Sequence, residues 1–303
     1  MYFDEQKPLD IVLNDLFAHY RAHVADVNKI TDALLAEGVV ASQDDLVNDH
    51  IAFRTLGVPH LGIASFEKIF LAYGYQRRDH YVFEAKKLDA YWYAPPAAHY
   101  PRIFVSELQV HALSAEAQSI IRHYTDPIQA DPVDGLDFSD GAAVAAFLQQ
   151  PLWPLPTSAH YQRLLEESEY AAWVIYNRYY LNHYTISIHE LKDGYHTLEA
   201  FNRFLEGIGI KLNSAGGKIK TSADGLLRQS STVSALYEAT FSDGRSLAIA
   251  GSYVEFAERS PLPSFRHLPK EELKPEHRRD GFENNNADKI FESTYTQQIK
   301  GDK

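Results

Sequence analysis

The sequence predicts an α+β fold in which two β-α-β-β-β units form one curved sheet around a central site. Two strand-like segments each begin with a histidine, at His50 and at His183. An amphipathic helix pattern starts 15 residues after the first histidine and 14 after the second, and each pattern ends at a glycine. Each unit then closes with a strand that carries a glutamate, Glu107 or Glu255. This shared order of elements indicates an internal repeat.

Helical periodicity characterises the first part of the chain. In residues 9–37 the apolar side chains recur at intervals of three and four residues. This pattern predicts a long amphipathic helix, or a pair of helices, that packs through one stripe. Gly38 then marks the end of the helical segment.

The first β-α-β-β-β unit occupies about residues 48–111, and the second about residues 181–258. In the first unit the patterns predict a strand at 49–54, a helix at 65–73 and β segments at 81–83, 91–93 and 103–110. In the second unit they predict a strand at 182–188, a helix at 197–206, a β segment at 234–241, a turn at 242–244 and a strand at 247–257.

Helical patterns fill the segment between the units, residues 114–180. They predict helices at 115–124, 142–149 and 161–180, with a proline-rich turn at 151–156. After the second unit, residues 260–303 are rich in proline and charge, which predicts an irregular arm along the surface. We assign residues 1–303 to one catalytic domain that contains these internal modules.

The composition restricts the chemistry. The chain has 303 residues, no cysteine and a formal net charge of −12. Without cysteine it has no thiolate nucleophile, disulfide or Fe–S cluster, so a bound metal needs nitrogen and oxygen ligands. The acidic charge argues against nucleic-acid binding, and the sequence shows no apolar run of membrane-spanning length and no N-terminal targeting pattern. We expect a cytoplasmic enzyme that acts on small molecules, with no membrane partner; the oligomeric state is left open.

Strand alternation groups the side chains that can carry chemistry. His50 and Arg54 share one face of the first strand, and Glu255 shares a face with Tyr253 on the last strand. If the two units share a curved sheet, then His50, His183 and Glu255 converge as a 2-His-1-carboxylate site. Such a site suits non-haem Fe(II) and leaves coordination positions open for substrate and O₂.

Three further residues are candidates for this site. Glu107 holds in the first unit the place that the closing glutamate holds in the second, so it is a candidate fourth ligand, a partner of a ligating histidine or a relic of the repeat. Arg54 lies about 13 Å along the strand from the first histidine, which suits clamping the far end of an extended anionic substrate; pairing with a protein carboxylate is the alternative. Ser230 belongs to the polar run 229–232, which either lines the cavity or forms a turn.

Six segments of the chain are distinctive as a set: DHIAFRT (49–55), FVSELQV (104–110), NHYTIS (182–187), RQSST (228–232), GSYVEFAER (251–259) and RRDGFENNNADKIFEST (278–294). In this order they resemble the 2-oxoadipate dioxygenase/decarboxylase family, whose members are also called hydroxyglutarate synthases. That family belongs to the vicinal-oxygen-chelate superfamily, whose modules are β-α-β-β-β units. The resemblance spans about residues 10–295.

The resemblance implies an Fe(II)-dependent enzyme with His50, His183 and Glu255 as metal ligands. It also implies that Arg54 binds a carboxylate of the substrate. The implied reaction converts a 2-oxo dicarboxylic acid, 2-oxoadipate, with O₂ into 2-hydroxyglutarate and CO₂ in lysine breakdown. No organic cofactor is implied.

Two alternative functions stay open at this point. With Glu107 as a fourth ligand, the site would suit an O₂-independent divalent-metal isomerase or lyase of the glyoxalase type. A non-catalytic protein that binds a small acid is the other alternative. Tyr253 and Ser230 are further substrate-binding candidates, while the role of His189 and the preferred 2-oxo acid are left open.

Overall fold

The computed structural model describes residue 3 and residues 7–301. The predicted domain, 1–303, and the predicted C-terminal arm, 260–303, therefore include terminal residues that lie outside the described residues. The described strands are β1 Asn48–Leu56, β2 Gln76–Phe83, β3 Leu88–Ala94, β4 Arg102–Leu108, β5 His183–Ser187, β6 Lys220–Thr221, β7 Leu227–Ser231, β8 Leu236–Thr240, β9 Ser246–Ala250 and β10 Tyr253–Arg259. The described α-helices are α1 Pro8–His23, α2 Ala25–Ala36, α3 Ile63–Ala72, α4 Ala115–Thr125, α5 Gly141–Gln149, α6 Ser158–Glu167, α7 Glu169–Asn177, α8 Leu198–Gly207, α9 Asn284–Ile290 and α10 Thr296–Lys300.

One eight-stranded sheet spans both predicted units, in the order β2-β3-β4-β1-β5-β10-β7-β6. Each unit contributes four neighbouring strands, and the units meet where β1 pairs with β5 in antiparallel orientation. Within each unit the opening strand runs parallel to the closing strand, β1 with β4 and β5 with β10. The α+β fold and the repeat predicted from the sequence are confirmed.

Helices α3 and α8 cover one face of this sheet and pack against apolar strand residues there. Phe66 of α3 packs on Phe53 of β1 with ring centroids 4.7 Å apart, and Phe201 of α8 packs on Phe256 of β10 at 5.0 Å. Each buried ring removes a large apolar area from water. Because successive strand residues face opposite sides, this packing directs the even-numbered residues of β1 and the odd-numbered residues of β10 to the other face.

The predicted N-terminal helical segment is a pair of helices, α1 and α2, as one of the two predicted options. The predicted helix 161–180 differs, because it is two helices, α6 and α7, broken at Ser168. The Ser168 hydroxyl accepts a hydrogen bond from the Ala171 N–H at the start of α7, a side-chain cap that begins a new helix. Among the helices of the described residues, none combines the length and the apolar composition that a membrane span requires.

The second unit differs from its predicted strand pattern. The predicted strand 247–257 is two strands, because the chain leaves β9 and bends at Gly251–Ser252 before β10. β8 and β9 form a separate two-stranded hairpin outside the main sheet. The strand that joins the main sheet instead is β7, which contains most of the polar run 229–232. Its hydroxyl and amide side chains are buried with polar partners, so the run lacks the apolar pattern of an ordinary core strand.

The C-terminal arm was predicted to be irregular and superficial, and the structure corrects this for its second half. Residues 284–300 contain α9, a short 3₁₀ turn and α10. Phe282, Ile290 and Phe291 are buried. Helix α9 contacts β2 and β6, the two edge strands of the sheet, and also β7, so the curved sheet wraps around it. A few apolar residues are therefore enough to bury part of a segment that is otherwise rich in charge.

Candidate metal centre

Three adjacent strands at the middle of the sheet carry the predicted ligand residues. His50 lies on β1, His183 on β5 and Glu255 on β10. Thr185 of β5 is in register with His50 on one side and with Glu255 on the other. Residues in register share a face of the sheet, so all these side chains point to the face opposite α3 and α8.

The three side chains converge as the alternation of the strands predicts. His183 Nε2 lies 3.1 Å from Glu255 Oε2, and His50 Nε2 lies 3.5 Å from Glu255 Oε1. The two imidazole planes are 86° apart, and one ligand atom from each residue lies within 4.8 Å of the others. In the part of the chain that the structure describes, no other group of three histidine or acidic side chains meets this spacing. Two nitrogens and one carboxylate oxygen fit a divalent transition metal.

His50 is held by a buried ion pair. Its Nδ1 lies 2.8 Å from Asp49 Oδ1. The Asp49 carboxylate also accepts hydrogen bonds from Arg259, from Nε at 2.6 Å and from Nη2 at 2.8 Å. Burial alone would raise the pKa of Asp49, but Arg259 and Arg102 hold it well below its usual range. Because a carboxylate only accepts, His50 carries a proton on Nδ1 and directs Nε2 into the cluster.

His183 and Glu255 are oriented by amide side chains. Asn182 Oδ1 lies 3.1 Å from His183 Nδ1, which leaves Nε2 of this ring facing Glu255 as well. Gln229 Nε2 donates to Glu255 Oε1 at 2.7 Å. Burial alone would raise the pKa of Glu255, but the two imidazoles hold it well below its usual range, so the carboxylate is ionised.

Burial acts to lower the pKa of both imidazoles, but the net pKa shifts of the two rings are opposite in direction. It lowers the pKa of His183, which favours the neutral ring that a metal requires. Burial acts on His50 in the same direction, but the Glu255 carboxylate and the hydrogen bond to Asp49 outweigh it and raise the pKa of His50.

A small pocket adjoins the three candidate ligand residues. Aromatic and aliphatic side chains from β4, β10 and the C-terminal segment form its walls, together with Gln229. These wall residues are Phe104, Tyr253, Phe282, Ala287, Ile290 and Phe291. The pocket therefore depends on the C-terminal segment for one side.

Arg54 is a buried cation without a protein counterion. It is 1% exposed, and its Nη1 and Nη2 donate to Thr294 Oγ1 at 2.9 Å and to the Phe291 carbonyl at 3.1 Å. Its Nε has no partner, and among the described residues no carboxylate forms an ion pair with it. The Tyr253 hydroxyl is also buried, and it interacts with the Arg54 side chain. The predicted alternative, pairing with a protein carboxylate, is thus not found in the described structure.

Glu107 does not join the cluster. It is in register with Thr55, so it points to the helical face of the sheet, and its Oε2 accepts the Ile63 N–H of α3 at 2.7 Å. The registers of the two units explain this position. Glu255 lies two residues beyond the partner of His183, and the residue at that place in the first unit, two beyond the partner of His50, is Phe104. An apolar ring thus occupies the place that corresponds to Glu255, and of the three alternatives for Glu107 only the relic of the repeat agrees with its position.

Ser230 is also misplaced by the sequence prediction. It is in register with Phe256, so it lies on the helical face, where its hydroxyl donates to Asn202 Oδ1 of α8 at 2.8 Å. Its neighbour Gln229 reaches the site instead. His189, whose role was left open, accepts the Arg259 N–H at Nδ1, and burial lowers its pKa to about 3.

Gln229 is one of the polar site residues that the sequence prediction did not single out, together with Asp49 and Asn182. Strand alternation separates Gln229 from Ser230, but only the pairing with β10 shows which of them faces the cluster. Phe282, Phe291 and Asn286 were missed because they lie in the arm that was predicted to be superficial.

Glu107→Ala is expected to leave metal binding unchanged and to lower the free energy of unfolding by about 1–2 kcal/mol, because it removes the acceptor for the first turn of α3. Metal content after anaerobic reconstitution and denaturant unfolding measure the two effects. Glu238→Ala, at an exposed position of β8, is the control. Loss of bound metal in the Glu107 variant would restore this residue as a ligand.

The chain is similar to known proteins over most of its length. The family model HGLS, 2-oxoadipate dioxygenase/decarboxylase, matches residues 12–275. The chain is 46% identical over 274 residues to the chloroplastic 2-oxoadipate dioxygenase/decarboxylase of Arabidopsis thaliana, covering 86% of this chain and 72% of that protein. It is also 46% identical over 268 residues to the chloroplastic/amyloplastic 2-oxoadipate dioxygenase/decarboxylase of Oryza sativa subsp. japonica, covering 84% and 71%.

A solved structure agrees with the sequence relatives. The crystal structure of the hydroxyglutarate synthase from Oryza sativa in complex with 2-oxoadipate is similar to this chain, with a TM-score of 0.86 and 41% identity, covering 96% of this chain and 93% of that one. The match of both sequence and fold extends over both units and the site between them. The chain belongs to the 2-oxoadipate dioxygenase/decarboxylase family.

Proposed function

We propose that this protein converts 2-oxoadipate and O₂ into 2-hydroxyglutarate and CO₂. One oxygen atom enters the new carboxylate, the other enters the new hydroxyl, and the original C1 carboxylate leaves as CO₂. The observation that carries the proposal is the buried convergence of His50, His183 and Glu255 next to a cation, Arg54, that has no counterion in the described structure. The family and the named relatives support the choice of substrate.

Fe(II) is the metal that we propose for the site. Both histidines direct Nε2 into the cluster, and the ionised Glu255 supplies one oxygen, so the donor set fits a facial triad with open positions. Bound there, Fe(II) supplies the redox chemistry that activates O₂ and the positive charge that binds the 2-oxo acid head.

The protein's own side chains position and enclose the reactants. Asp49 and Asn182 fix the two imidazoles, and Gln229 fixes the carboxylate. Arg54, with the Tyr253 hydroxyl nearby on the same face, suits the distal carboxylate of a dicarboxylic acid. Phe104, Phe282 and Phe291 form an apolar wall beside the candidate ligands.

The glyoxalase-type alternative loses its premise. It required Glu107 as a fourth ligand, and this side chain is bound at the start of α3 instead. A non-catalytic protein that binds a small acid would not need three buried candidate metal ligands that are each oriented by a second side chain.

The test is O₂ uptake by anaerobically purified protein that has received Fe(II) and 2-oxoadipate. We expect O₂ consumed, CO₂ released and 2-hydroxyglutarate formed in equal amounts, with the product identified by mass spectrometry. Absence of O₂ uptake with metal-loaded protein and several 2-oxo acids would contradict the proposal.

Removal of the metal should abolish turnover reversibly. We expect a chelator-treated sample to be inactive, to regain activity with Fe(II) and not with Zn(II), and to unfold at a lower temperature than the loaded protein, because a ligand that binds the native state stabilises it. Thermal unfolding with and without metal measures the stabilisation. Full activity after complete demetallation would contradict the assignment.

We also predict that the protein is cytoplasmic and that it acts in lysine breakdown. Cytoplasmic localisation is checked by cell fractionation, and a role in lysine breakdown by accumulation of 2-oxoadipate when the gene is removed. We also propose that residues 1–303 act as one catalytic domain, with Fe(II), O₂ and a 2-oxo dicarboxylate as its small-molecule partners.

A further inference from the structure

We propose that Asn286, on the C-terminal helix α9, is a positioning residue that sets the orientation of the Glu255 carboxylate through Gln229. The inference rests on the proposed metal site, and it extends that site to a helix that supplies no ligand. It also gives the C-terminal segment a second role beside forming the wall of the pocket.

A chain of two buried hydrogen bonds connects α9 to the ligand. Asn286 Nδ2 donates to Gln229 Oε1 at 3.0 Å, and Gln229 Nε2 donates to Glu255 Oε1 at 2.7 Å. Asn286 Nδ2 also donates to the Leu227 carbonyl at 3.3 Å, which ties α9 to β7. Asn286, Gln229 and Glu255 are each 2% exposed or less, so water does not substitute for these partners.

The Glu255 carboxylate fixes the direction of these two hydrogen bonds. An ionised carboxylate only accepts hydrogen bonds, so Gln229 has to turn its NH₂ group toward Glu255. Its amide oxygen then faces away and needs a donor, which Asn286 provides. Without that donor, a half-turn of the Gln229 amide would place its oxygen against the Glu255 carboxylate, because the terminal torsion of glutamine is soft.

The orientation of Glu255 decides where its oxygens lie relative to both imidazoles. Oε1 is the atom that Gln229 holds and that lies near His50, while Oε2 lies near His183. The terminal torsion of glutamate is as soft as that of glutamine, so the hydrogen bond from Gln229 selects the plane of the carboxylate. Partners of this kind typically contribute about 10–100-fold to metal affinity.

The chain offers a matched control within the same helix. Residues 284–286 are all asparagine, and Asn285 is exposed whereas Asn286 is buried. Asn286→Leu removes the donor, keeps the branched shape of the side chain and adds no charge that would change the electrostatic field at the metal. Asn285→Leu makes the same chemical change at the exposed position.

Binding of Co(II) to the full-length protein tests the inference, with the affinity measured by titration and the site geometry by visible absorption. We expect Asn286→Leu to weaken Co(II) binding about 10-fold or more and to alter the absorption bands. Asn285→Leu should match the unmodified protein in both respects. Asn286→Ala, which also lacks the donor but adds no bulk, should weaken binding in the same direction.

Separate outcomes test the relay and the site on which it rests. Unchanged affinity and spectrum in Asn286→Leu and Asn286→Ala would overturn the positioning role. A drop in unfolding temperature without a change in the Co(II) spectrum would do the same, because it shows a purely structural contribution. If the unmodified protein bound neither Co(II) nor Fe(II), the proposed metal site itself would fail.

Discussion

His183→Ala is expected to lower metal affinity by more than about 100-fold and to reduce turnover below detection, while the protein stays folded. Partners that only orient a ligand contribute about 10–100-fold to metal affinity, and a ligand itself contributes more. His183 supplies one of the two nitrogens of the cluster, and its Nε2 lies 3.1 Å from Glu255. Metal content after anaerobic dialysis and O₂ uptake with 2-oxoadipate measure the two losses.

A surface histidine provides the control for this variant. His267 is exposed, and His267→Ala should keep full metal content and activity. Circular dichroism and the unfolding temperature of metal-free samples establish that both variants fold. Full activity of the His183 variant in a folded sample would refute the ligand assignment.

Arg54→Ala is expected to lower kcat/KM for 2-oxoadipate far more than for 2-oxohexanoate, a substrate of equal chain length without the distal carboxylate. Loss of one partner from a buried charge pair costs about 3 kcal/mol, which corresponds to roughly 150-fold in kcat/KM. Arg54 suits this role because its guanidinium is buried, lacks a counterion in the described structure and is stacked near Tyr170 and Trp173.

Comparison of two substrates on one variant separates binding from folding. Any loss of folded Arg54→Ala protein lowers both rates equally and cancels in their ratio. Arg77→Ala, at an exposed arginine that forms a surface ion pair with Glu67, should leave the ratio unchanged. Equal losses for the two substrates in Arg54→Ala would exclude the carboxylate clamp.

The shared face of the candidate site residues on each strand was predictable because it depends on strand periodicity, which is a local property of sequence. A period of two puts His50 and Arg54 on one face whatever the strand pairs with. The sequence did not decide between the alternatives for Glu107 and misplaced Ser230 because both positions depend on register, and a shift of one residue reverses the face. Register follows from pairing between distant strands, and no short segment encodes it.

The C-terminal segment shows a different limit of the sequence. Its proline and charge indicate an exposed arm, yet Phe282, Ile290 and Phe291 find a concave apolar surface between the edges of the sheet. That surface exists only after both units have folded. The polar partners Asn286 and Gln229 were hidden for the same reason, because a buried amide is recognisable only when its partner is known.

The ligand strands also connect metal loading to the folding of the chain. β1 with His50 belongs to the first unit, and β5 and β10 with His183 and Glu255 belong to the second. Neither unit alone therefore contains all three proposed ligands. The β1–β5 junction has to close before the third ligand arrives. A partly synthesised or half-folded chain therefore offers at most two ligands and binds metal weakly. With the ligands that we propose, tight metal uptake reports that the β1–β5 junction has closed, and a capture experiment during refolding would follow that step directly.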